Sequence, residues 1–375
     1  MVCAAPLNGV GLETELETMA KKDIVSYRNK IDRVDQQILK LLSERGKYVV
    51  EIGKIKKAMG SSFHVPERET KLLDSLKKAN KGPYSNEAVE TIYREVLSAS
   101  LALESPLKVA FLGPEATFTH LAGIKKFGLS AKFQPQASIA KVFQEVSMGK
   151  ANYGVVPIEN STEGVVSYTL DLFVEFPLKI CGELKLPIIH NLLSNTKSLK
   201  EVKKVYSHPQ ALAQCRVWLD SHLPGVKTVE VASTAKAAEI ASKEKGAAAI
   251  ASDYAASHYH LGILAKHIED LSNNFTRFVV IAKNDCGPTG HDKTSVMFSA
   301  KDEVGILHKL LSPIAKEKIN LTKIESRPLK GRAWEYIFFV DLDGHRENPK
   351  VKRALERMSK GCAFIKILGS YPSGE

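Results

Sequence analysis

Residues 24–59 read IVSYRNKIDRVDQQILKLLSERGKYVVEIGKIKKAM, and apolar side chains return every seven positions. Ile24, Ile31, Ile38 and Ile52 form one series, broken only by Arg45; Tyr27, Val34, Leu41, Tyr48 and Ile55 form the next. That spacing predicts one long amphipathic helix, roughly 50 Å long at about 1.5 Å per residue. Such a helix is too long for a compact domain of its own. Its apolar face calls for a second long helix, expected from another copy of the chain. Arg28, Arg45 and Lys56 lie on or beside that face. Buried charge without a partner is costly, so these cations either snorkel to water on their aliphatic stems or surround a small polyanion. Arg45, at the centre of the isoleucine series, argues for the polyanion.

After a loop at 60–66 come Arg68-Glu69 and a last helix from about Asn86 to Glu104, with Ser100 and Glu104 on or beside its apolar stripe. On these residues the segment 23–104 resembles the all-helical chorismate mutase family, whose intertwined dimers bind chorismate between helices. The resemblance implies that Arg28, Arg45, Arg68, Glu69 and Ser100 bind substrate and that Lys56 and Glu104 are catalytic. The chemistry suits these residue types. A Claisen rearrangement needs a dicarboxylate held in a folded conformer and its developing ether oxyanion stabilised, not a nucleophile. The arginines suit the carboxylates as bidentate donors. Lys56 donates to the ether oxygen from one side, and Glu104 from the other only when protonated. Where the family usually has an acidic residue, three positions before the Arg-Glu pair, this chain has Val65.

The 375 residues have room for two or three domains, and 44% hydrophobic with 25% charged residues is an ordinary globular balance. No apolar run reaches membrane-spanning length. The first twenty residues lack a basic start and carry Glu13, Glu15 and Glu17, so residues 1–22 are expected to be a disordered extension without a targeting signal. The five scattered cysteines have no metal-ligand spacing, and they suggest reduced thiols and a cytoplasmic protein. A net charge of +11 permits nucleic-acid binding, but no cationic run or nucleic-acid motif accompanies it. Neither a nucleic-acid nor a membrane partner is expected.

From Lys108 strand-like and helix-like segments alternate. Strands are expected at 108–112, 153–157, 187–193, 204–206, 228–231 and 247–251, and helices at 138–148, 210–219 and 235–243. The pattern is α/β with parallel sheets. Polar clusters follow strands, where such folds place functional loops. They are 113–118, Glu159 to Thr162, Ser207-His208-Pro209-Gln210, and Thr276-Arg277-Phe278. Taken singly they read as turns and caps; Ser138, Ser233 and Thr234 are assigned as caps, and His208 as a hydrogen-bonded loop residue. There is no phosphate loop, nucleophile elbow or metal cluster, and no cofactor is expected.

In this order the segments resemble prephenate dehydratase, most specifically in VPIENS (156–161), SHPQ (207–210) and NFTRF (274–278). The family's usual Gly-Thr-Phe is Ala-Thr-Phe here, at Ala116. The resemblance implies two α/β subdomains of the solute-binding-protein type with the site between them, and Thr276 as donor to a departing ring hydroxyl. Glu159, Asn160, Ser161, Ser207, His208, Gln210, Arg277 and Phe278 are then expected around the substrate, Arg277 alternatively as a structural ion-pair partner.

A linker at 284–293 leads to a βαββαβ pattern, which is ferredoxin-like. GILH (305–308) and ESRP (325–328) resemble a phenylalanine-binding ACT domain. Gly305, Ile306, Leu307, Asn320, Glu325, Ser326, Arg327 and Pro328 are the residues the resemblance assigns to the effector. A plain dimerising appendage is the alternative, and truncation after Lys283 is expected to leave an active, insensitive protein.

The boundaries expected are 23–104, 107–284 and 293–375. The chain reads as an enzyme of phenylalanine biosynthesis, taking chorismate to prephenate and then to phenylpyruvate under feedback by L-phenylalanine, as a homodimer or homotetramer. A dehydratase preferring arogenate and a non-catalytic amino-acid-sensing regulator are its rivals.

Overall fold

The computed structural model describes residues 10–59, 64–300, 303–328 and 336–374, with side chains from Asp23 onward. The first helix, α1 (Val10–Met59), is followed by α2 (Pro66–Ala79) and α3 (Asn86–Glu104). Because α1 already runs from Val10, residues 10–22 are helical rather than a disordered extension; residues 1–9 lie outside the described residues. The expected apolar face is there but uncovered: Ile31, Leu41 and Tyr48 are 57%, 64% and 62% exposed. The described residues divide into two compact units, one from Met1–Phe63 with Leu103–Ser105, the other from His64–Ala102 with Pro106–Glu375.

In the second unit, chain order gives β1 (Lys108–Leu112), α4 (Phe118–Phe127), β2 (Lys132–Gln136), α5 (Ile139–Ser147), β3 (Tyr153–Asn160), β4 (Gly164–Val165), α6 (Ser167–Glu175) and β5 (Lys179–Pro187). Next come β6 (Asn191–Ser194), β7 (Lys204–Ser207), α7 (Pro209–Gln214), α8 (Arg216–His222), β8 (Lys227–Glu230), α9 (Thr234–Lys243), β9 (Ala247–Ala251), α10 (Asp253–Tyr259) and β10 (Gly262–Ala265). The strand β11 (Phe275–Ala282) then returns to the sheet of β1, β3 and β5, the sheet of the first lobe, while β6 to β10 form that of the second. One sheet has the order β2-β1-β3-β11-β5, with β4 on β3; the other has β10-β6-β9-β7-β8.

The sheets are mixed rather than parallel, since β11 runs antiparallel to β3 and β5, and β6 to β9. A chain that crosses between lobes and comes back must reverse direction, and pattern reading does not see that. The strand expected at 187–193 is really the end of β5, a crossing at 188–190 and β6. The two crossings are tied together where Ile188 N donates to Asn274 O at 2.8 Å. The helix expected at 210–219 is broken at Cys215 into α7 and α8. Ser138 and Ser233 accept from Lys141 N and Lys236 N and cap α5 and α9, as their sequence context predicts.

The C-terminal module is β12 (Asp292–Ser299), α11 (Ile306–Lys316), β13 (Leu321–Pro328), β14 (Tyr336–Asp343), α12 (Pro349–Ser359) and β15 (Phe364–Pro372). Its sheet order is β13-β14-β12-β15, with antiparallel neighbours, the ferredoxin-like arrangement. The linker is shorter than expected because β12 starts at Asp292.

This module is no loosely tethered appendage. Met297, Ile337, Phe339, Leu368 and Tyr371 belong to the same buried cluster as Leu172, Phe173, Ile180 and Val279 of the first lobe. At Gly369 a Cβ would lie 2.0 Å from Ile180 O, so the backbones meet where no side chain fits. Truncation after Lys283 therefore strips part of the first lobe's own core, and the expectation of a separable module is withdrawn. No helix among the described residues is long and apolar enough to cross a membrane.

Candidate active sites

A cleft of about 770 Å³ is lined from one lobe by Leu112, Asn160 and Thr276 and from the other by His208, Gln210 and Gln214. Strand pairing creates its polar wall. Antiparallel β3 and β11 set Asn160 opposite Thr276, and the Asn160 side chain then links them. Thr162 N and Glu163 N each donate to Asn160 Oδ1 at 3.0 Å. These backbone groups can only donate, so Asn160 Nδ2 is the donor to Thr276 Oγ1 (2.8 Å) and to Asn274 Oδ1 (2.8 Å). Thr276 already accepts, and its hydroxyl proton is left to donate.

Helix ends supply the cleft's positive potential. The N-termini of α4, through Thr117, Phe118 and Thr119, and of α9, through Ser233, Thr234 and Lys236, both line it. Unpaired N–H groups and the helix dipole favour anions there. Ala116, just before α4, has φ 62°. This left-handed backbone costs nothing for glycine and is strained for alanine.

The period of two along a strand turns the neighbours of Asn160 and Thr276 to the other face. Arg277 and Glu159 also pair in register, but they turn away from the cleft toward the C-terminal module. Arg277 is bound by Glu183 at 2.6 Å and Asp341 at 2.7 Å, and it donates to Tyr371 Oη at 3.1 Å. Burial opposes its charge, but Tyr371, Asp341 and Glu183 outweigh burial and raise its pKa. Glu159 accepts from Lys323 of β13 at 2.7 Å. Burial pushes its carboxyl up, while Lys323 and Arg277 more than offset this and hold it below the usual range. Phe278 is buried in the first lobe's core. Ser207 is fully buried and donates to Ile250 O at 2.8 Å. Ser161 donates to Asn273 O at 3.1 Å and accepts from Phe275 N at 2.9 Å, bracing the turn. As placed, Glu159, Ser161, Ser207, Arg277 and Phe278 do not line the cleft. His208 does, although its Nδ1 accepts from Gln210 N as a helix cap.

Among the cleft residues that the sequence reading missed are Gln214, Asn274 and His190. Gln214 stands four positions after Gln210 on the helix, and Asn274 two before Thr276, so helix and strand periods pointed to both. His190 lies in the crossing, which read as strand. It is bonded through Nε2 to Gln214 Oε1 at 3.0 Å, and burial lowers its pKa.

In the helical unit, Lys56 Nζ lies 2.9 Å from Glu104 Oε2, with only 8% of the Glu104 side chain exposed. Two residues 48 positions apart are thus brought together. Arg28 and Arg45 belong to this unit, and Arg68, Glu69 and Ser100 to the other. Glu69 is engaged elsewhere. Its Oε2 is 3.2 Å from His64 Nε2, and His64 Nδ1 is 2.7 Å from Tyr153 Oη. Burial raises the Glu69 pKa and the His64 contacts outweigh it, giving a net lowering. Ser100 donates to Val96 O at 2.6 Å.

In the C-terminal module Gly305 has φ 75° at the start of α11, with open space where a Cβ would point. Ile306 and Leu307 open the helix, and Asn320 precedes β13, the exposed edge strand that carries Glu325, Ser326, Arg327 and Pro328. Arg327 Nη2 also reaches Asp171 Oδ1 of the first lobe, at 3.5 Å.

Family models match the chain in the order chorismate mutase type II (residues 27–105), prephenate dehydratase (109–286) and ACT domain (294–359). The bifunctional chorismate mutase/prephenate dehydratase of Aquifex aeolicus (strain VF5) is 52% identical over 355 residues, 94% of this chain and 98% of that protein. The crystal structure of prephenate dehydratase in complex with L-Phe from Arthrobacter aurescens is similar at TM-score 0.66 and 33% identity, over 71% of this chain and 90% of that one. A structure described as a novel type of quorum quenching acylase is similar too, at TM-score 0.65 and 30% identity, over 71% of this chain and 97% of that one. One fold hosts different chemistries, so the side chains in the cleft carry the functional argument. With three family models in order and a near full-length relative of more than half identity, the chain belongs to the bifunctional chorismate mutase/prephenate dehydratase family and carries an ACT domain.

Proposed function

We propose that the chain rearranges chorismate to prephenate in its helical segment and converts prephenate to phenylpyruvate in the cleft beside Thr276, under feedback by L-phenylalanine. The observation that carries the second step is the bond from Asn160 to Thr276, which leaves the hydroxyl proton of a cleft residue for donation. In the reaction the bond to the ring carboxylate breaks and CO2 leaves. Its electron pair completes the aromatic ring, and the ring C–O bond breaks. The departing oxygen takes up a proton and leaves as water. Thr276 hydrogen-bonds to that oxygen and passes on a proton that solvent supplies, regaining its own, while the N-termini of α4 and α9 hold the carboxylates. Asn160, Gln210 and His208 complete the wall.

For the first step, Lys56 and Glu104 take opposite sides of the ether oxygen, and Arg28 and Arg45 take the carboxylates. Arg68, Glu69 and Ser100 stay assigned to this substrate on family resemblance. The uncovered apolar face of α1 supports a homodimer, or a homotetramer, in which another copy supplies the second long helix. The domains are proposed as 23–104, 107–284 and 293–375. The described cysteines are free thiols, which supports a reducing, cytoplasmic setting.

L-Phenylalanine is assigned to Gly305, Ile306, Leu307, Asn320 and the strand Glu325, Ser326, Arg327 and Pro328. The same strand reaches Glu159 through Lys323, one residue before Asn160. An effector that favours one position of β13 thereby biases the cleft. Turnover of the purified protein on prephenate and on arogenate tests the substrate assignment. Faster turnover on prephenate is expected, and a preference for arogenate overturns it.

A further inference from the structure

The chain of side-chain bonds that leaves Thr276 a donor also leaves the cleft one acceptor. Asn160 Nδ2 donates to Asn274 Oδ1, which turns Asn274 Nδ2 toward Gln214 Oε1 at 3.1 Å. Gln214 Nε2 faces Thr162 Oγ1 at 3.4 Å. Gln214 Oε1 can only accept, so the His190 proton sits on Nε2 and Nδ1 keeps a lone pair. That Nδ1 is buried and has no hydrogen-bond partner among the described residues, and His190, 2% exposed, is part of the cleft wall. Buried polar atoms are seldom left so, and one on a residue that lines a ligand cavity is a candidate partner for a ligand donor. The ring of Phe118 meets His190 edge-on, with centroids 5.9 Å apart.

A hydroxyl both accepts and donates, and Thr276 Oγ1 and His190 Nδ1 can meet one of these needs each. We propose that His190 Nδ1 accepts the hydrogen of the substrate's ring hydroxyl, turning that oxygen's lone pair toward the Thr276 proton. This rests on the dehydratase reading and deepens it. His190 takes no proton in the reaction; it orients the leaving group. Its place in the crossing between lobes lets hydroxyl recognition and lobe position depend on each other.

The full-length variants His190→Asn and His190→Gln separate this role from a structural one. Asparagine puts an acceptor near the place of Nδ1 and gives up the bond to Gln214. Glutamine keeps a donor for Gln214 and puts no acceptor at Nδ1. His190→Asn is expected to keep dehydratase kcat on prephenate within about tenfold, and His190→Gln to lose on the order of a hundredfold, as for a lost preorganised contact. Chorismate mutase activity and the thermal midpoint report that each variant is folded. The reverse order, or equal rates in the two variants, overturns the proposal. On the wild type, a prephenate analogue with fluorine for the ring hydroxyl accepts but does not donate. It is expected to compete at least about tenfold less tightly than prephenate, the worth of one hydrogen bond, and equal affinity overturns the proposal. A wild type that makes no phenylpyruvate from prephenate overturns the dehydratase reading itself, and this proposal with it.

Discussion

Asn160 Nδ2 donates to Thr276 Oγ1 across 2.8 Å, so a residue at the end of β3 fixes the donor direction of a residue at the start of β11. If this preorganised hydroxyl stabilises the departing oxygen, Thr276→Ala lowers dehydratase turnover on the order of a hundredfold, about 2.7 kcal/mol in the barrier. Mutase activity is unchanged. Steady-state kinetics on prephenate check this, and near-wild-type dehydration would demote Thr276 to a strand residue.

How far the sequence could be read follows from this pair. The NFTRF motif pointed to Thr276, yet its next two residues, Arg277 and Phe278, turned out to face the C-terminal module and the core. A motif is contiguous, but a strand sends alternate side chains to opposite faces, which turns Arg277 away, and Phe278, two residues beyond Thr276, is already in the core, so a motif names more residues than a site can use. The long helix was legible from its seven-residue series, because periodicity is local. The shared core around Tyr371 and Ile180, the return of β11 and the crossing that holds His190 are products of tertiary contact, and no local pattern encodes them. Gln214 and Asn274 were legible by period, from Gln210 and Thr276.

The mutase site offers a test by substitution. Lys56 and Glu104 meet at 2.9 Å and are proposed to take opposite sides of the ether oxygen. Glu104→Gln keeps a donor at that place and is expected to hold mutase kcat within about tenfold, whereas Glu104→Ala is expected to lose on the order of a hundredfold. Steady-state kinetics on chorismate check it. Equal rates in the two variants would remove Glu104 as the donor.

Gly305 holds a left-handed backbone that a β-branched residue resists. Gly305→Val is expected to weaken L-phenylalanine binding and inhibition together, by tenfold or more for a strain of about 1–2 kcal/mol, without lowering uninhibited turnover. Lys323→Met keeps binding and loses inhibition, because it removes the contact to Glu159. Calorimetry and inhibition curves read the two effects separately. No phenylalanine binding to the intact chain would leave the module a dimerisation element.

Ala116 occupies a position whose φ of 62° suits glycine. Ala116→Gly relieves about 1–2 kcal/mol of strain in the folded state and gives back part of it as unfolded-chain entropy. A net gain of up to about 1 kcal/mol is expected in denaturant melts. A loss of that size would mean that alanine packing outweighs the backbone.

The central claim, two reactions at two sites on one chain, is tested most directly by supplying chorismate to the purified protein and following prephenate and phenylpyruvate together. The wild type is expected to form prephenate and then phenylpyruvate. Thr276→Ala is expected to stop at prephenate. Lys56→Ala, which removes the partner of Glu104, is expected to leave chorismate unused while still converting added prephenate. Chorismate left untouched by the wild type, or collapse of both activities in a folded Lys56→Ala protein, would contradict the account.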